Sequence, residues 1–144
     1  MKTQMKTITS MVCDNSSTKD APIIDCARAV YAQMGDIINA DREHFVVLVL
    51  SARRLCLYKQ VVSIGILSAS LVHPREVFKP AIMGNGAAII AVHNHPSGDH
   101  SPSSEDRDAT RRLQRAGEIL GIPLADHIVV STNGFYSFRE NGLM

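Results

Sequence analysis

The sequence lacks the features of a disulfide-stabilised or membrane-spanning protein. Its three cysteines, Cys13, Cys26 and Cys56, are an odd number and form no Cys-x-x-Cys pair, which argues against a disulfide framework or a cysteine-rich zinc site. The longest purely apolar runs, residues 45–50 and 87–92, are far too short to cross a bilayer. The lysines near the N-terminus are not followed by the apolar core of a secretory signal. These absences predict a cytoplasmic protein with reduced thiols and no membrane contact.

An excess of charge of one sign is also missing. The sequence contains fifteen Lys and Arg residues and fourteen Asp and Glu residues, which gives a formal net charge of +1. Such a chain has no overall attraction to nucleic acid or to an anionic membrane, so we expect no direct binding of nucleic acid. The chain has 144 residues, and 45% of them are hydrophobic, which suits one domain with its own core.

The pattern along the chain predicts a short polar arm followed by a single domain. Residues 1–20 are rich in Thr and Ser without a sustained period, which is typical of a flexible arm. The domain is therefore expected to span residues 21–144. Helices are predicted at residues 21–35, 74–84 and 103–120, and strands at residues 45–50, 55–64, 87–93, 124–130 and 135–138. This order predicts an α/β protein with a mixed sheet, because helices return the chain to the sheet between strands.

Two histidines at the end of a predicted strand indicate a metal site. Side chains alternate along a strand, so His93 and His95 should point to the same side. Ser103 and Asp106 open the next helix three residues apart, and a loop that folds back could bring Asp106 beside the histidines. Two nitrogens and one oxygen, with a fourth position for water, are the ligands of a catalytic zinc site, although iron or another divalent ion would also fit. Alternatively, Ser103 and Asp106 form a helix capping box.

The same residues resemble a known signature. His93-x-His95, followed after seven residues by Ser103-x-x-Asp106, resembles the JAMM (MPN+) motif of JAB-domain zinc proteases. The surrounding sequence resembles the RadC branch of that superfamily at Val72-His73-Pro74-Arg75-Glu76 and at His93-Asn94-His95-Pro96-Ser97-Gly98-Asp99. The resemblance extends from about residue 41 to residue 138.

The resemblance implies a fold, a cofactor and a reaction. The fold would be an α+β JAB/MPN sandwich of the cytidine-deaminase-like type, with a mixed sheet flanked by helices. One Zn²⁺ ion would be held by His93, His95 and Asp106, and a metal-activated water would cleave a peptide or isopeptide bond in another protein. Ser103 would stabilise the developing oxyanion.

One residue departs from the family pattern. By ungapped counting back from residues 72–76, Gln60 occupies the place of the catalytic Glu. A neutral amide can hold a water but cannot act as general base, and general base catalysis typically contributes about 10²–10⁴-fold. Glu43 and Glu76 are conceivable substitutes from neighbouring elements, although Glu76 also suits the first turn of a helix.

Further polar residues have both a functional and an ordinary interpretation. His100 is either a further ligand or a solvated loop residue, and Asp126-His127 either orients a zinc ligand or forms a pair without a catalytic role. Arg107, Arg111 and Arg115 form a row that either is solvated or meets an acidic partner or phosphate. If residues 55–64 form an exposed sheet edge, a homodimer through strand addition could result.

Three functions remain open from the sequence. The first is a JAMM-type zinc metallopeptidase-like hydrolase, and the second is a catalytically impaired zinc-binding interaction domain, which Gln60 favours. The third is a DNA-repair-associated factor, suggested only by the name of the RadC family. Against it stand the near-neutral charge and the lack of room for the helix-hairpin-helix domain that RadC proteins often carry.

Overall fold

A computed structural model of the protein describes residues 21–65 and 72–144; the predicted arm at residues 1–20 lies outside the described residues. In the described ranges the helices and strands follow one another as α1 (Ala27–Ala32), α2 (Gly35–Ile38), β1 (Glu43–Leu50), β2 (Cys56–Gly65), α3 (Pro74–Met83), β3 (Ala88–Asn94), α4 (Ser104–Leu120), β4 (Leu124–Ser131) and β5 (Gly134–Ser137). None of the described helices is both long and apolar enough to cross a bilayer.

The strands form one mixed sheet in the order β2-β1-β3-β4-β5. The β1 strand runs antiparallel to both β2 and β3, while β3 and β4 are parallel and β5 turns back against β4. A parallel pair needs a long crossover connection, and α4 supplies it between β3 and β4. The predicted mixed sheet with flanking helices is therefore confirmed. The β2 strand lies at one end of this order, which is the premise of the predicted homodimer; the dimer itself stays a prediction.

The two faces of the sheet pack against different helices. Phe45, Val47 and Val49 alternate along β1 and join a core with residues of α3 and α4, such as Phe78 and Leu113. The intervening residues of β1 face the opposite core, which contains residues of α1 and α2. Because paired residues of neighbouring strands share a face, the pairing of Phe45 with His93 places His93 on the side of α3 and α4.

The first predicted helix is wrong in its bounds. The segment before α1 is extended and pairs with the start of β2, since Ile23 and Leu55 form an antiparallel bridge and Cys56 N–H donates to the Pro22 carbonyl. The helix therefore begins only at Ala27, and Gly35 begins a second short helix instead of ending the first. Tertiary hydrogen bonds override the helical spacing of the apolar residues here.

Candidate metal centre

The two histidines of the motif lie at the end of β3 and face each other. His93 is buried in the strand with 1% of its surface exposed. His95 follows directly after the strand, and its N–H donates to the Val130 carbonyl, which keeps the chain alongside β4. The two Nε2 atoms are 3.1 Å apart. The predicted alternation therefore brings both imidazoles to one point.

The first turn of α4 brings Asp106 to the same point through its helix cap. The Ser103 hydroxyl accepts a hydrogen bond from Asp106 N–H at 3.0 Å, and Asp106 Oδ2 accepts one from Ser103 N–H at 2.8 Å, which completes a capping box. Asp106 Oδ1 lies 3.0 Å from His93 Nε2, and Oδ2 lies 3.3 Å from His95 Nε2. The two interpretations of this pair are thus compatible, because the cap orients the carboxylate towards the histidines.

The spacing of these atoms fits a metal ion. In the described ranges His93, His95 and Asp106 are the group that could hold one, with one ligand atom from each within 4.8 Å of the others. Zinc ligands at 2.0–2.1 Å in a tetrahedron lie roughly 3.3 Å from one another, and the contacts measured here span 3.0–3.3 Å. The donor set and the distances therefore fit a small divalent cation.

The charges at this point also favour a cation. Burial by itself raises the pKa of Asp106, but the neighbouring imidazoles of His93 and His95 outweigh it and hold that pKa well below its ordinary value. The hydrogen bond with Asp106 is the main cause that raises the pKa of His95 above its ordinary value, against desolvation. His95 Nδ1 faces the Asp99 carbonyl at 2.8 Å, and a carbonyl can only accept. The Nε2 atom of His95 is thus the one left to bind either a proton or a metal.

His127 contacts His93, one of the candidate ligands, which is the contact that an orienting role for Asp126-His127 requires. His127 Nε2 lies 2.9 Å from His93 Nδ1. Asp126 does not share this role, because its carboxylate accepts hydrogen bonds from the Ser137 hydroxyl and from Arg139 N–H. Asp126 therefore holds the C-terminal turn, and burial raises the pKa of its carboxyl.

Other predicted candidates lie away from the ligand atoms. His100 Nδ1 lies 3.2 Å from the Ser131 hydroxyl and its ring packs on Gly134, so His100 contacts the β4–β5 turn and is not part of the ligand group. Arg111 forms an exposed ion pair with Asp108 on α4. The arginine row on α4 is exposed, as a solvated face would be.

Gln60 lies at some distance along the sheet from the ligands. Gln60 pairs with Val47, and Val47 pairs with Ala91 on β3. His93 is two residues further along β3 and pairs with Phe45. Gln60 thus shares the face of the ligands, but it is separated from β3 by β1 and is offset from His93 by two residues. Its predicted catalytic role stays a prediction, and the separation of Gln60 from His93 in the sheet argues against that role.

Glu43, the first residue of β1, is better placed. The antiparallel pairing of β1 with β3 reaches Phe45 and His93, and just beyond it His44 N–H donates to the Asn94 side chain at 2.6 Å. Extending the register by one more residue places Glu43 opposite His95. After Asp106, the negative charge of Glu43 is one of the causes that raise the pKa of His95. Sequence reasoning named Glu43 only as a substitute, because strand register over fifty residues of chain is not visible in local patterns.

A cavity opens beside this point. Its volume is about 420 Å³, and it is lined by Asp41, Arg42, Glu43, Gly65 and Pro96. The cavity wall thus includes Glu43 and the residue that follows His95, whereas the side chains of His93, His95 and Asp106 do not line it. It is large enough to take a side chain or a short stretch of polypeptide.

Fold and site together define a JAB-type domain with a His-His-Asp group that could bind a metal ion. A family model described as "RadC-like JAB domain" matches residues 24–143. The chain belongs to this family.

Curated relatives support the assignment. The UPF0758 protein of Rubrobacter xylanophilus is 49% identical over 110 residues, which are 76% of this chain and 48% of that protein. The UPF0758 protein of Desulforamulus reducens is 50% identical over 111 residues, 77% of this chain and 49% of the relative. That of Symbiobacterium thermophilum is 54% identical over 102 residues, 71% and 44% respectively. The chain thus spans about half the length of the curated relatives it matches.

Proposed function

We propose that the protein is a metal-dependent hydrolase of the JAMM type that cleaves a peptide or isopeptide bond. The observation that carries this proposal is the convergence of two imidazole nitrogens and one carboxylate at 3.0–3.3 Å beside a cavity. The family assignment adds to it, since JAB domains include hydrolases. His93, His95 and Asp106 would hold the ion, and zinc suits this donor set.

Zinc, when bound, would polarise the scissile carbonyl and lower the pKa of a water to about 7. The capping box prepares Asp106 for its part, because Ser103 N–H holds one carboxylate oxygen in place. The ligand set is also preorganised at His95, whose ring is fixed by the Asp99 carbonyl.

In this proposal Glu43 is the general base. Its carboxylate takes a proton from the attacking water and returns it to the leaving amine, the two steps that amide hydrolysis requires of one group. Its place opposite His95 and in the wall of the cavity supports the assignment. Gln60 cannot perform these steps, since an amide does not accept a proton at ordinary pH.

Ser103 is proposed to stabilise the oxyanion. Its hydroxyl oxygen accepts the Asp106 N–H at 3.0 Å, which uses a lone pair and leaves the hydroxyl proton available. A hydroxyl can donate and accept at once. Ser103 could therefore cap α4 and donate to a developing negative charge in the same conformation.

The experiment is to load the protein with zinc and measure turnover on a panel of peptides and isopeptide-linked peptides. We expect activity in the wild type and its loss in Asp106→Ala. Glu43→Gln should lower kcat by roughly 10²–10⁴-fold with a smaller change in KM, since it removes the base and little volume. Gln60→Glu should change kcat little.

The matched pair Glu43→Gln and Gln60→Glu also tests the second candidate function, a catalytically impaired metal-binding interaction domain. That function is favoured by one residue, the neutral Gln60 in the place of the family's Glu. An inactive wild type that gains turnover in Gln60→Glu would establish it and would refute Glu43 as the base.

A further inference from the structure

A chain of hydrogen bonds through buried side chains connects two of the candidate ligands, His93 and Asp106. His93 Nδ1 lies 2.9 Å from His127 Nε2, and His127 Nδ1 lies 2.6 Å from the Thr110 hydroxyl. The Thr110 hydroxyl in turn contacts the backbone carbonyl of Asp106 at 2.7 Å. Asp106 then returns to His93 through its carboxylate, 3.0 Å from Nε2. Both nitrogens of each of the two rings are thus engaged.

The direction of these hydrogen bonds follows from what each group can do. The Asp106 carbonyl can only accept, so the single hydroxyl proton of Thr110 is donated to it. The Thr110 oxygen must then accept from His127, which places the His127 proton on Nδ1. In a neutral imidazole the other nitrogen is an acceptor, so His127 Nε2 receives a proton from His93 Nδ1. The Nε2 atom of His93 is therefore left with its lone pair towards Asp106.

The surroundings keep His127 neutral and both rings in place. His127 is fully buried, and its two ring nitrogens face the Thr110 hydroxyl and His93. The Phe45 ring lies nearly parallel to that of His93, 6.0 Å away, and the Phe138 ring is nearly parallel to that of His127, 5.0 Å away. The rings thus have little freedom to turn and exchange partners.

We propose that Thr110 and His127 are positioning residues that fix the tautomer of His93 and thereby set the affinity of the site for its metal. The chain of hydrogen bonds runs from the backbone carbonyl of Asp106 through Thr110 and His127 to Nδ1 of His93, and so joins two of the candidate ligands. The position of α4 therefore determines which ring nitrogen of His93, on β3, carries the proton. This inference rests on the proposed metal site, and it is independent of whether the site hydrolyses a bond.

Removing the Thr110 hydroxyl should allow His127, and with it His93, to adopt the other tautomer. In Thr110→Val the shape of the side chain is kept, but His127 Nδ1 loses its acceptor. His127 can then carry its proton on Nε2 and donate it to His93, which moves the His93 proton to the nitrogen that faces Asp106. A metal must displace that proton, so we expect affinity for Zn²⁺ to fall about 10–100-fold, the usual effect of losing a hydrogen-bond partner of a ligand. Thr110→Ser retains the hydroxyl and should restore the affinity.

Asp126→Asn is the matched control for general destabilisation. Asp126 precedes His127 on β4 and is buried, yet its carboxylate contacts Ser137 and backbone N–H groups and not the imidazole rings. We expect this variant to lose stability without losing affinity for Zn²⁺. A fall in affinity equal to that of Thr110→Val would attribute the effect to loosened packing and would overturn the proposal.

The deciding measurement is the tautomer of each histidine by ¹⁵N nuclear magnetic resonance of the full metal-free chain, above the pH at which the histidines titrate. The wild type should show His93 and His127 both protonated at Nδ1. Titration with Zn²⁺ against a chelating indicator should give Thr110→Ser an affinity near that of the wild type and Thr110→Val a lower one.

A His127 proton on Nε2 in the wild type would refute the proposal even if Thr110→Val did not fold. Equal affinities with an unchanged His93 tautomer in Thr110→Val would refute it as well. A protein with these tautomers and affinities that hydrolyses no substrate would refute only the proposed function.

Discussion

Asp106 serves as a helix cap and as a candidate ligand with the same carboxylate. Its Oδ2 accepts from Ser103 N–H, while its Oδ1 faces His93 at 3.0 Å. A side chain fixed by its own helix loses little entropy when it binds an ion, because that entropy is already lost on folding. The cap and the site therefore depend on the same local geometry.

Replacing the Ser103 hydroxyl should weaken the helix cap, and this effect can be measured without a metal. In Ser103→Ala the Asp106 N–H loses its acceptor, and we expect the free energy of unfolding to fall by about 0.5–2 kcal/mol. Chemical denaturation of the metal-free protein measures this change, with Ser104→Ala, one residue on and exposed, as the control. An unchanged midpoint for Ser103→Ala would mean that the capping box does not stabilise α4.

Proton and metal should compete at His95. The pKa of His95 is raised, mainly by its hydrogen bond with Asp106, so the metal-free native protein retains the proton to a higher pH than an unfolded chain does. The stability that this proton contributes is full below the ordinary pKa of about 6.5 and is lost as the pH rises through the raised value. The metal has the opposite preference, because it binds the deprotonated ring.

We therefore expect the apparent affinity for Zn²⁺ to fall as the pH is lowered, and the fall to begin above the ordinary pKa of histidine. Titrations with Zn²⁺ over a series of buffers, corrected for metal bound by the buffer, measure it. An affinity that stays constant across this range would contradict the assignment of His95 as a ligand.

At the scale of elements, α4 lies close against the start of β4. Gly117 lies where the end of α4 crosses the start of β4, and an added Cβ would come within 2.6 Å of the Ile122 carbonyl oxygen and 3.2 Å of Leu124 N. This close approach sets the helix against the sheet. Asp106 and Thr110, both on α4, depend on this placement for their contacts with His93 and His127.

Gly117→Ala should destabilise the protein even though Ala favours a helix by about 1 kcal/mol. The clash is with backbone atoms, so we expect overpacking to dominate and the free energy of unfolding to fall by roughly 1–3 kcal/mol. Gly35→Ala is the control, since nothing lies within 4 Å of its added Cβ. Greater stability in Gly117→Ala would show that α4 can move away from β4.

Local patterns predicted the elements of the site better than their partners. The alternation of side chains placed His93 and His95 on one side, and helix-start chemistry placed Asp106 in a first turn. The place of Glu43 opposite His95 depends on the register of β1 against β3, which no local pattern contains. The first helix was wrong for the same reason, since residues 22–24 hydrogen-bond to a distant strand.

At the scale of the whole molecule, the described residues form a five-stranded sheet that carries the family signature, while the chain spans about half the length of its curated relatives. The formal net charge of +1 gives no general attraction to a polyanion. Any specificity for a substrate should therefore come from the cavity beside His95 and not from long-range charge.

The central claim is that one divalent cation is bound jointly by His93, His95 and Asp106. Elemental analysis of protein dialysed after zinc loading tests it most directly, in the wild type and in the variants His95→Ala and His100→Ala. We expect about one zinc ion per chain in the wild type and in His100→Ala, and a loss of most of the zinc in His95→Ala. Equal zinc contents in His95→Ala and the wild type, or no zinc in any of the three, would contradict it.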